Sequence, residues 1–336
     1  MMKNNKEFIS KRIVVTGGAG YIGRHLIKSL IDMNHEILVV DNFSNSSPIH
    51  SRNKLEVLET DIANTPILRH KFLEFKPNIL IHLAALKSIN ASIDEMENYK
   101  NVNIKGTESV LAAIENIPIE GIVFSSTAAV YSPQNYQVHE ESETNPINEY
   151  GKTKLEAEKK IQIFSEKFEI PVYIFRFFNV AGGSFETAVD LPIDNLCGII
   201  YTAIKENSLV RIFGKNKNTV DGTCSRDYIH VQDIVDAHIL AVNKILEKNL
   251  LDRINILNLG SQNATTVFEV IKLFELKFNT NIHTRILDPR PGEVGFSLAS
   301  TNKATKELGF VPSRDIMDIV EDYFYLFLKE SGSLSG

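Results

Sequence analysis

Apolar residues fill the first half of the chain in short, nearly unbroken blocks, with longer stretches of helical period between them. "RIVVT" (12–16), "EILVVD" (36–41), "LEVLETD" (55–61), "NILIHLA" (78–84), "GIVFSST" (121–127) and "VYIFRFFN" (172–179) are such blocks. Runs of this kind predict strands buried on both faces. An apolar-periodic stretch from Tyr21 to Met33 follows the first block, and 94–115 and 149–168 carry a helical pattern too. Strands alternating with helices predict a parallel sheet covered on both sides, an α/β fold of the doubly wound, Rossmann type.

Past about Asn179 the rhythm changes. Helical stretches at 194–206, 231–247, 266–277 and 313–330 are separated by "VRIF" (210–213), "INILNLG" (254–260) and "HTRIL" (283–287). "KNKNTVDGTCSRD" (215–227) and "DPRPGEVG" (288–295) read as turns. The expected organisation is a Rossmann domain over 1–180 and a smaller mixed α/β lobe over 181–336, some of whose segments return to the first domain.

Composition narrows the class without changing this picture. A chain of 336 residues, 43% of them hydrophobic, has material for one large or two closely joined domains. With net charge −6 and no basic run, nucleic acid is not an expected partner. Cys197 and Cys224 form no close-spaced motif, which excludes a disulfide framework and fits a reducing compartment. "MMKNNKEFISKR" lacks the apolar core of a signal peptide. No apolar run reaches the ~18 residues of a membrane helix. A cytoplasmic protein is expected, with no membrane partner. The histidines show no ligand spacing such as H-x-x-x-H, so no metal is expected.

The chemistry begins at "VVTGGAGYIGRHL", which joins the first strand to the first helix. Gly18, Gly20 and Gly23 satisfy G-x-G-x-x-G, and Gly17, Gly20 and Gly23 satisfy G-x-x-G-x-x-G. Glycines there allow a tight turn, close approach of backbone N–H groups to a pyrophosphate, and close helix–strand packing. The second strand ends in Asp41, placed to bind a ribose 2′-hydroxyl and repel a 2′-phosphate. Together these features point to NAD rather than NADP. Asp61 and Ile62 follow the third strand, where an adenine ring would be held. Ala84 and Ala85 close the fourth strand with small side chains, which serve either close cofactor approach or plain sheet–helix packing.

Thr127 closes the fifth strand, and ligands of open α/β sheets sit at the carboxyl ends of strands. Next in sequence comes "NEYGKTKLEAEKK" (148–160). Tyr150 and Lys154 stand four apart and share one helical face. Alone, that spacing also describes a ring resting on a lysine stem at a surface. Beside a dinucleotide turn and a strand-end hydroxyl, it describes a proton-handling pair.

T-G-G-A-G-Y-I-G, the D-N after strand two, S-S-T and Y-x-x-x-K resemble the extended short-chain dehydrogenases/reductases. More narrowly, the chain resembles the UDP-glucose (UDP-galactose) 4-epimerases. "HLAALKSINAS", "VNIKGT", "FSSTAAVY", "EYGKTKLEAE", "RFFNVAG", "SRDYIHVQD", "LNLGS" and "RPGEV" carry that resemblance in order over nearly the whole length. It implies NAD contacts from Gly17, Gly20, Tyr21, Ile22, Gly23, Asp41, Asn42, Asp61, Ile62, Leu83, Ala84, Ala85, Lys87 and Asn103, joined by Tyr150 and Lys154. It makes Tyr150 the acid/base, Lys154 the group that lowers the tyrosine's pKa, and Thr127 the partner of the sugar 4-oxygen. A phenol starts near a pKa of about 10, so the lysine and the positive nicotinamide are both needed to make it a base near neutrality. Substrate contacts are implied for Lys87 and Asn179, for Asn195 at a helix start, and for Arg226 and Arg290 on the diphosphate. Phe213 would lie near the uracil, and Glu293 near a ribose hydroxyl. A surface charge or a core aromatic is the plainer alternative for each, least so for Arg226 within "SRDYIHV". The implied partner state is a homodimer through 94–115 and 149–168. Ile104, Val110, Leu111 and Ile114 form an apolar stripe there that would equally serve a monomer's core.

Two departures stand out. Ser132 replaces the glycine usual after "VY", without an evident reason in the sequence. Ser297 stands where hexose-restricted epimerases carry a bulky tyrosine, which implies room for the N-acetylated UDP-sugars unless Phe296 fills the gap. Among rivals, a nucleotide-sugar 4,6-dehydratase needs an acid after Thr127, and Ala128 and Ala129 stand there. A uronate epimerase would need a basic grip on a carboxylate. A non-catalytic NAD-binding regulator would be free to lose Tyr150 or Lys154, and the chain has both.

Overall fold

The computed structural model describes residues 10–87, 93–183, 191–215, 217–290 and 294–332. The first half runs β1 (Arg12–Thr16), α1 (Tyr21–Asp32), β2 (Glu36–Asp41), β3 (Leu55–Glu59), α2 (Thr65–Phe75), β4 (Ile79–His82) and α3 (Ile93–Tyr99). A π-helical segment, Lys100–Gly106, leads into α4 (Thr107–Ile114), followed by β5 (Gly121–Thr127), α5 (Glu149–Phe168) and β6 (Val172–Phe177). Then come β7 (Asn179–Ala181), α6 (Leu196–Glu206), β8 (Val210–Phe213), β9 (Ser225–His230), α7 (Val231–Leu246) and β10 (Ile254–Leu259). The chain ends with β11 (Ala264–Thr266), α8 (Val267–Phe278), β12 (Thr284–Leu287), β13 (Phe296–Ser297), α9 (Asn302–Leu308) and α10 (Ile316–Glu330).

Seven strands form one sheet in the order β10-β6-β5-β4-β1-β2-β3. β1 pairs in parallel with β2 and β4, β2 with β3, and β4 with β5. Ile13 to Val15, Ile37 to Val40 and Ile122 to Phe124 are buried, as unbroken apolar strands require. This is the expected Rossmann-type α/β fold. Further strands form a set around β9 and a β8–β12 pair.

The chain divides into two compact units. The first holds the residues up to Ser125, with Glu156–Ile174 and Ala241–Asn255. The second holds Ser126–Leu155, Phe175–Leu240 and the residues from Ile256 on. The second has its own core, with Phe274, Tyr323, Ile200 and Ile319 among its fully buried side chains. Two of its helices begin with reciprocal caps, Thr266 with Glu269 on α8 and Asp315 with Asp318 on α10.

Some elements depart from the pattern. The single helix expected over 94–115 carries the π-helical segment, and Gly106 there lies so close to Ile62 that a Cβ would sit 2.6 Å from its side chain. Val110, Leu111 and Ile114 of the apolar stripe are buried within this chain. The first residues of β9 fall where a turn was expected, over 215–227. Its Ser225 and Asp227 are buried through hydrogen bonding rather than apolarity, which hides the strand from a hydrophobic pattern. No helix among the described residues is long and apolar enough to cross a membrane.

His238 of α7 gives the second unit a pH dependence. Its Nδ1 is 2.7 Å from the Ile234 carbonyl, its Nε2 has no partner, and the Phe175 and Phe177 rings stand 5.2 and 5.8 Å away. Burial pushes its pKa down to about 4, while the Ile234 carbonyl pulls weakly the other way. The folded chain therefore resists a proton that the unfolded chain takes up near pH 6.5. Stability is complete above that value and falls as pH drops toward 4. About 2 kcal/mol of the loss between pH 7 and pH 5 is expected to vanish in His238→Gln, measured by urea unfolding at both pH values.

Candidate active site

In the first unit, β1 runs into the glycine turn. Gly17 adopts φ +69°, and a Cβ on it would stand 2.6 Å from the Ala84 nitrogen. Only glycine meets both conditions. A Cβ on Gly23 would stand 2.5 Å from the Gly18 oxygen, so α1 packs directly on the turn. Gly20 caps α1 without a side-chain bond, and no acidic residue lies in the first turn. Backbone N–H groups at a helix start point outward along its axis, and the helix dipole there favours an anion, which places Tyr21 and Ile22 at the anion-favouring end of α1. Asp41 accepts from the Ala19 nitrogen at 3.0 Å and the Phe43 nitrogen at 2.9 Å, which holds its carboxylate beside the turn. Asn42 donates to the exposed Asp61 at 3.0 Å, and Asp61 also accepts from the Ala63 nitrogen. Ile62 is buried against Gly106. Leu83, Ala84 and Ala85 are half-buried, Lys87 is exposed, and Leu83 donates to the Thr16 carbonyl. The Asn103 carboxamide is buried and pairs with the Leu86 backbone both ways, accepting at 2.8 Å and donating at 3.1 Å. A glycine turn leading into a helix start, beside a carboxylate fixed at the end of β2, fits NAD.

In the second unit, Thr127 ends β5 and its hydroxyl accepts from the Ala129 nitrogen at 3.2 Å. α5 begins against this corner. Asn148 accepts from the Gly151 nitrogen at 2.8 Å, and a Cβ at Gly151 would stand 2.2 Å from the Ala129 oxygen. Gly151 thus seats the Tyr150 turn directly on the backbone that follows Thr127. Tyr150 is half-buried, while Lys154, one turn on and on the same face, is 2% exposed. The spacing had suggested the pair, but not the glycine that brings it to Thr127.

Behind this corner lies a buried polar cluster. The Tyr131 hydroxyl donates to Asn258 at 2.6 Å and accepts from Arg176 at 3.0 Å, and Arg176 lies 4.9 Å over the Tyr131 ring. Burial raises the Tyr131 pKa to about 12, so this hydroxyl stays protonated. Next to it, the Ser132 Oγ is buried without a partner, while its N–H donates to the Glu143 carbonyl. An unpaired buried hydroxyl is a cost, so Ser132→Ala is expected to stabilise the protein by about 1 kcal/mol in urea titration.

β9 organises the residues expected to meet a substrate. Ser297 of β13 registers with Arg226, and Phe296 with Ser225. Paired residues share a face and neighbours alternate, so Ser297 stands on Arg226's side and Phe296 on the other. β7 flanks β9 as well, with the exposed Asn179 opposite Tyr228. Arg226 Nη2 donates to the Val294 carbonyl at 2.5 Å. Arg290 lies 3.6 Å over the Phe213 ring, which brings those two residues together. Asn195 is the N-cap of α6, accepting from Gly198 at 2.8 Å, and the Tyr323 hydroxyl donates to it at 3.3 Å. Glu293 lies outside the described residues. Asp227 was missed. Fully buried beside Arg226, it accepts from the Ser261 nitrogen and hydroxyl, the Gln262 nitrogen and the Ala299 nitrogen, at 2.6 to 3.1 Å. Its position in a polar strand offered no signal. Cys197 and Cys224 are buried and are not joined in a disulfide.

Comparison with known proteins matches residues 13–256 to the NAD dependent epimerase/dehydratase family. UDP-glucose 4-epimerase 2 of Arabidopsis thaliana is 32% identical over 331 residues, covering 94% of each chain. Among solved structures, UDP-glucose-4-epimerase from Stenotrophomonas maltophila, with bound NAD and formylated UDP-arabinopyranose, superposes with a TM-score of 0.87. It is 30% identical and covers 96% of this chain and 100% of its own. UDP-glucose 4-epimerase from Bifidobacterium longum, in complex with NAD+ and UDP, gives a TM-score of 0.86 at 27% identity, covering 96% and 100%.

Proposed function

Because this chain belongs to the NAD dependent epimerase/dehydratase family, we propose that it is an NAD-dependent isomerase that interconverts UDP-glucose and UDP-galactose at C4. The observation that carries this reading is the seating of Tyr150 on the Thr127 corner through Gly151, with the buried Lys154 on the same helical face.

The Gly17–Gly23 turn and Asp41 would hold NAD, which would supply a hydride acceptor and donor for C4 of the sugar. Tyr150, as phenolate, takes the proton of the 4-hydroxyl, and the Lys154 ammonium stabilises that phenolate. The Thr127 hydroxyl holds the 4-oxygen. Arg226 and Arg290 grip the diphosphate through their planar forks, which leaves the hexose free to turn about that link. Tyr150 then returns its proton to the 4-oxygen with C4 presenting its other face. The reading includes a cytoplasmic homodimer formed through the α3–α4 stretch and α5, on the strength of the family resemblance.

Substrate breadth rests on Ser297. Phe296, the side chain that would close the gap, lies on the face of Ser225 rather than that of Arg226. A small residue beside Arg226 supports acceptance of UDP-N-acetylglucosamine and UDP-N-acetylgalactosamine. Purified protein is mixed with NAD, UDP-glucose and UDP-N-acetylglucosamine, and C4 epimers are followed by proton NMR. Both epimers are expected at comparable rates. UDP-galactose alone would remove the role given to Ser297, and neither epimer would remove the epimerase reading.

A further inference from the structure

A continuous hydrogen-bonded chain lies buried beneath the cofactor side of the first unit. Thr16 Oγ1 is 2.6 Å from His82 Nδ1, and His82 Nε2 is 2.9 Å from Thr107 Oγ1. Thr107 donates its hydroxyl proton to the Asn103 carbonyl at 2.7 Å. At the far end, the Ala84 nitrogen donates to Thr16 Oγ1 at 3.4 Å. Thr16, His82, Asn103 and Thr107 are each at most 2% exposed.

The direction of the chain follows from its last link. Thr107 gives its proton to Asn103, so its oxygen accepts from His82 Nε2–H. His82 Nδ1 then carries a lone pair and accepts from the Thr16 hydroxyl. Thr16, having donated, has its oxygen free for the Ala84 N–H. With that direction, each of these donors meets an acceptor when His82 is neutral and protonated at Nε2. Both ends of the chain reach the loop after β4. Ala84, whose backbone abuts Gly17, is held from Thr16, and Leu86 is clamped by the Asn103 carboxamide.

We propose that His82 and Thr107 are positioning residues for NAD. Through Thr16 and Asn103 they fix the 83–87 loop against the glycine turn. The π-helical segment at Lys100–Gly106 belongs to the same device, because it carries Asn103 to the loop and presents its carbonyl to Thr107. The proposal rests on the NAD reading above. It assigns a role to residues that need not touch the cofactor.

Thr107→Val keeps the side chain's shape and removes both its donor and its acceptor, whereas Thr107→Ser keeps both. NAD affinity is measured by calorimetry on protein freed of co-purified NAD, with UDP affinity and the thermal midpoint measured alongside. In Thr107→Val the dissociation constant for NAD is expected to rise about tenfold, or ~1.4 kcal/mol, with that for UDP unchanged. Thr107→Ser is expected to restore NAD binding. Loss of thermal stability with NAD affinity intact would make the chain merely structural and overturn the proposal. A second readout needs no variant beyond His82→Gln, used for assignment. Long-range 1H–15N spectra of the wild-type protein at pH 7 are expected to show His82 as the neutral Nε2–H form. A cationic ring or the Nδ1–H form would overturn the proposal whatever Thr107→Val does. A wild-type chain that binds no NAD would instead remove the functional reading, and this proposal with it.

Discussion

Tyr150→Phe is expected to lower the rate of C4 epimerisation about 10³-fold, with little change in the affinity for NAD or UDP. The substitution keeps the ring and its packing on the α5 turn, and removes only the hydroxyl that moves the proton. Its effect belongs in kcat rather than KM, because the lost interaction acts on the reacting oxygen and not on the nucleotide. Lys154→Met should follow in the same direction, since a phenol without its ammonium stays protonated at neutral pH. Steady-state rates with UDP-galactose, beside calorimetric NAD and UDP binding, separate these effects. A Tyr150→Phe enzyme with near wild-type kcat would move the acid/base role to another group.

The largest expected loss of stability comes from Asp227→Ala. The carboxylate accepts from three backbone nitrogens and the Ser261 hydroxyl; the three nitrogens lose their acceptor together, while the hydroxyl keeps only the Asn263 carbonyl at 3.3 Å. A Cβ at Gly260 would stand 2.5 Å from Asp227 Oδ2, so the 260–263 turn is wrapped directly on this carboxylate. Unsatisfied buried donors cost about 1–3 kcal/mol each, and partial rewetting brings the sum to an expected loss on the order of 4 kcal/mol. Urea unfolding followed by far-UV circular dichroism measures it. Asp227→Asn should recover little, because its amide group would point hydrogens at donors. The same carboxylate holds the Ala299 nitrogen just beyond Ser297, on the strand beside Arg226, so destabilised variants that still fold should also bind UDP weakly.

How far the sequence could be read depended on where the physics left a mark in residue type. The glycine turn was legible because Gly17 needs both a positive φ and room against Ala84, which no other residue supplies. The buried strands were legible because two covered faces demand unbroken apolar runs. Tyr150 and Lys154 were legible from their spacing, which equals one helical turn. β9 was not, since Ser225, Arg226 and Asp227 read as a loop, and Ser225 and Asp227 are buried only because other backbone segments arrive to bond them. The π-helical segment was hidden for a related reason. One extra residue in a helical turn changes no residue type, and the pairing of its Asn103 with the Leu86 backbone is a contact 17 positions away in sequence. The His82 chain left no pattern, as its links join residues 25 and 66 positions apart. Gly151 was in view as part of "EYGKTKLEAE", but its purpose appears only when Ala129 is placed against it.

The central claim is that hydrogen leaves C4 of a UDP-hexose and returns to the same carbon on its other face, with Tyr150 moving only the proton on oxygen. UDP-glucose deuterated at C4 tests it most directly. The labelled sugar is incubated with the purified protein and NAD in ordinary water, and the UDP-galactose formed is examined by NMR and mass spectrometry. The expected product keeps its deuterium at C4, with no net reduction of NAD. UDP-galactose carrying solvent hydrogen at C4, or no UDP-galactose at all, would contradict the account.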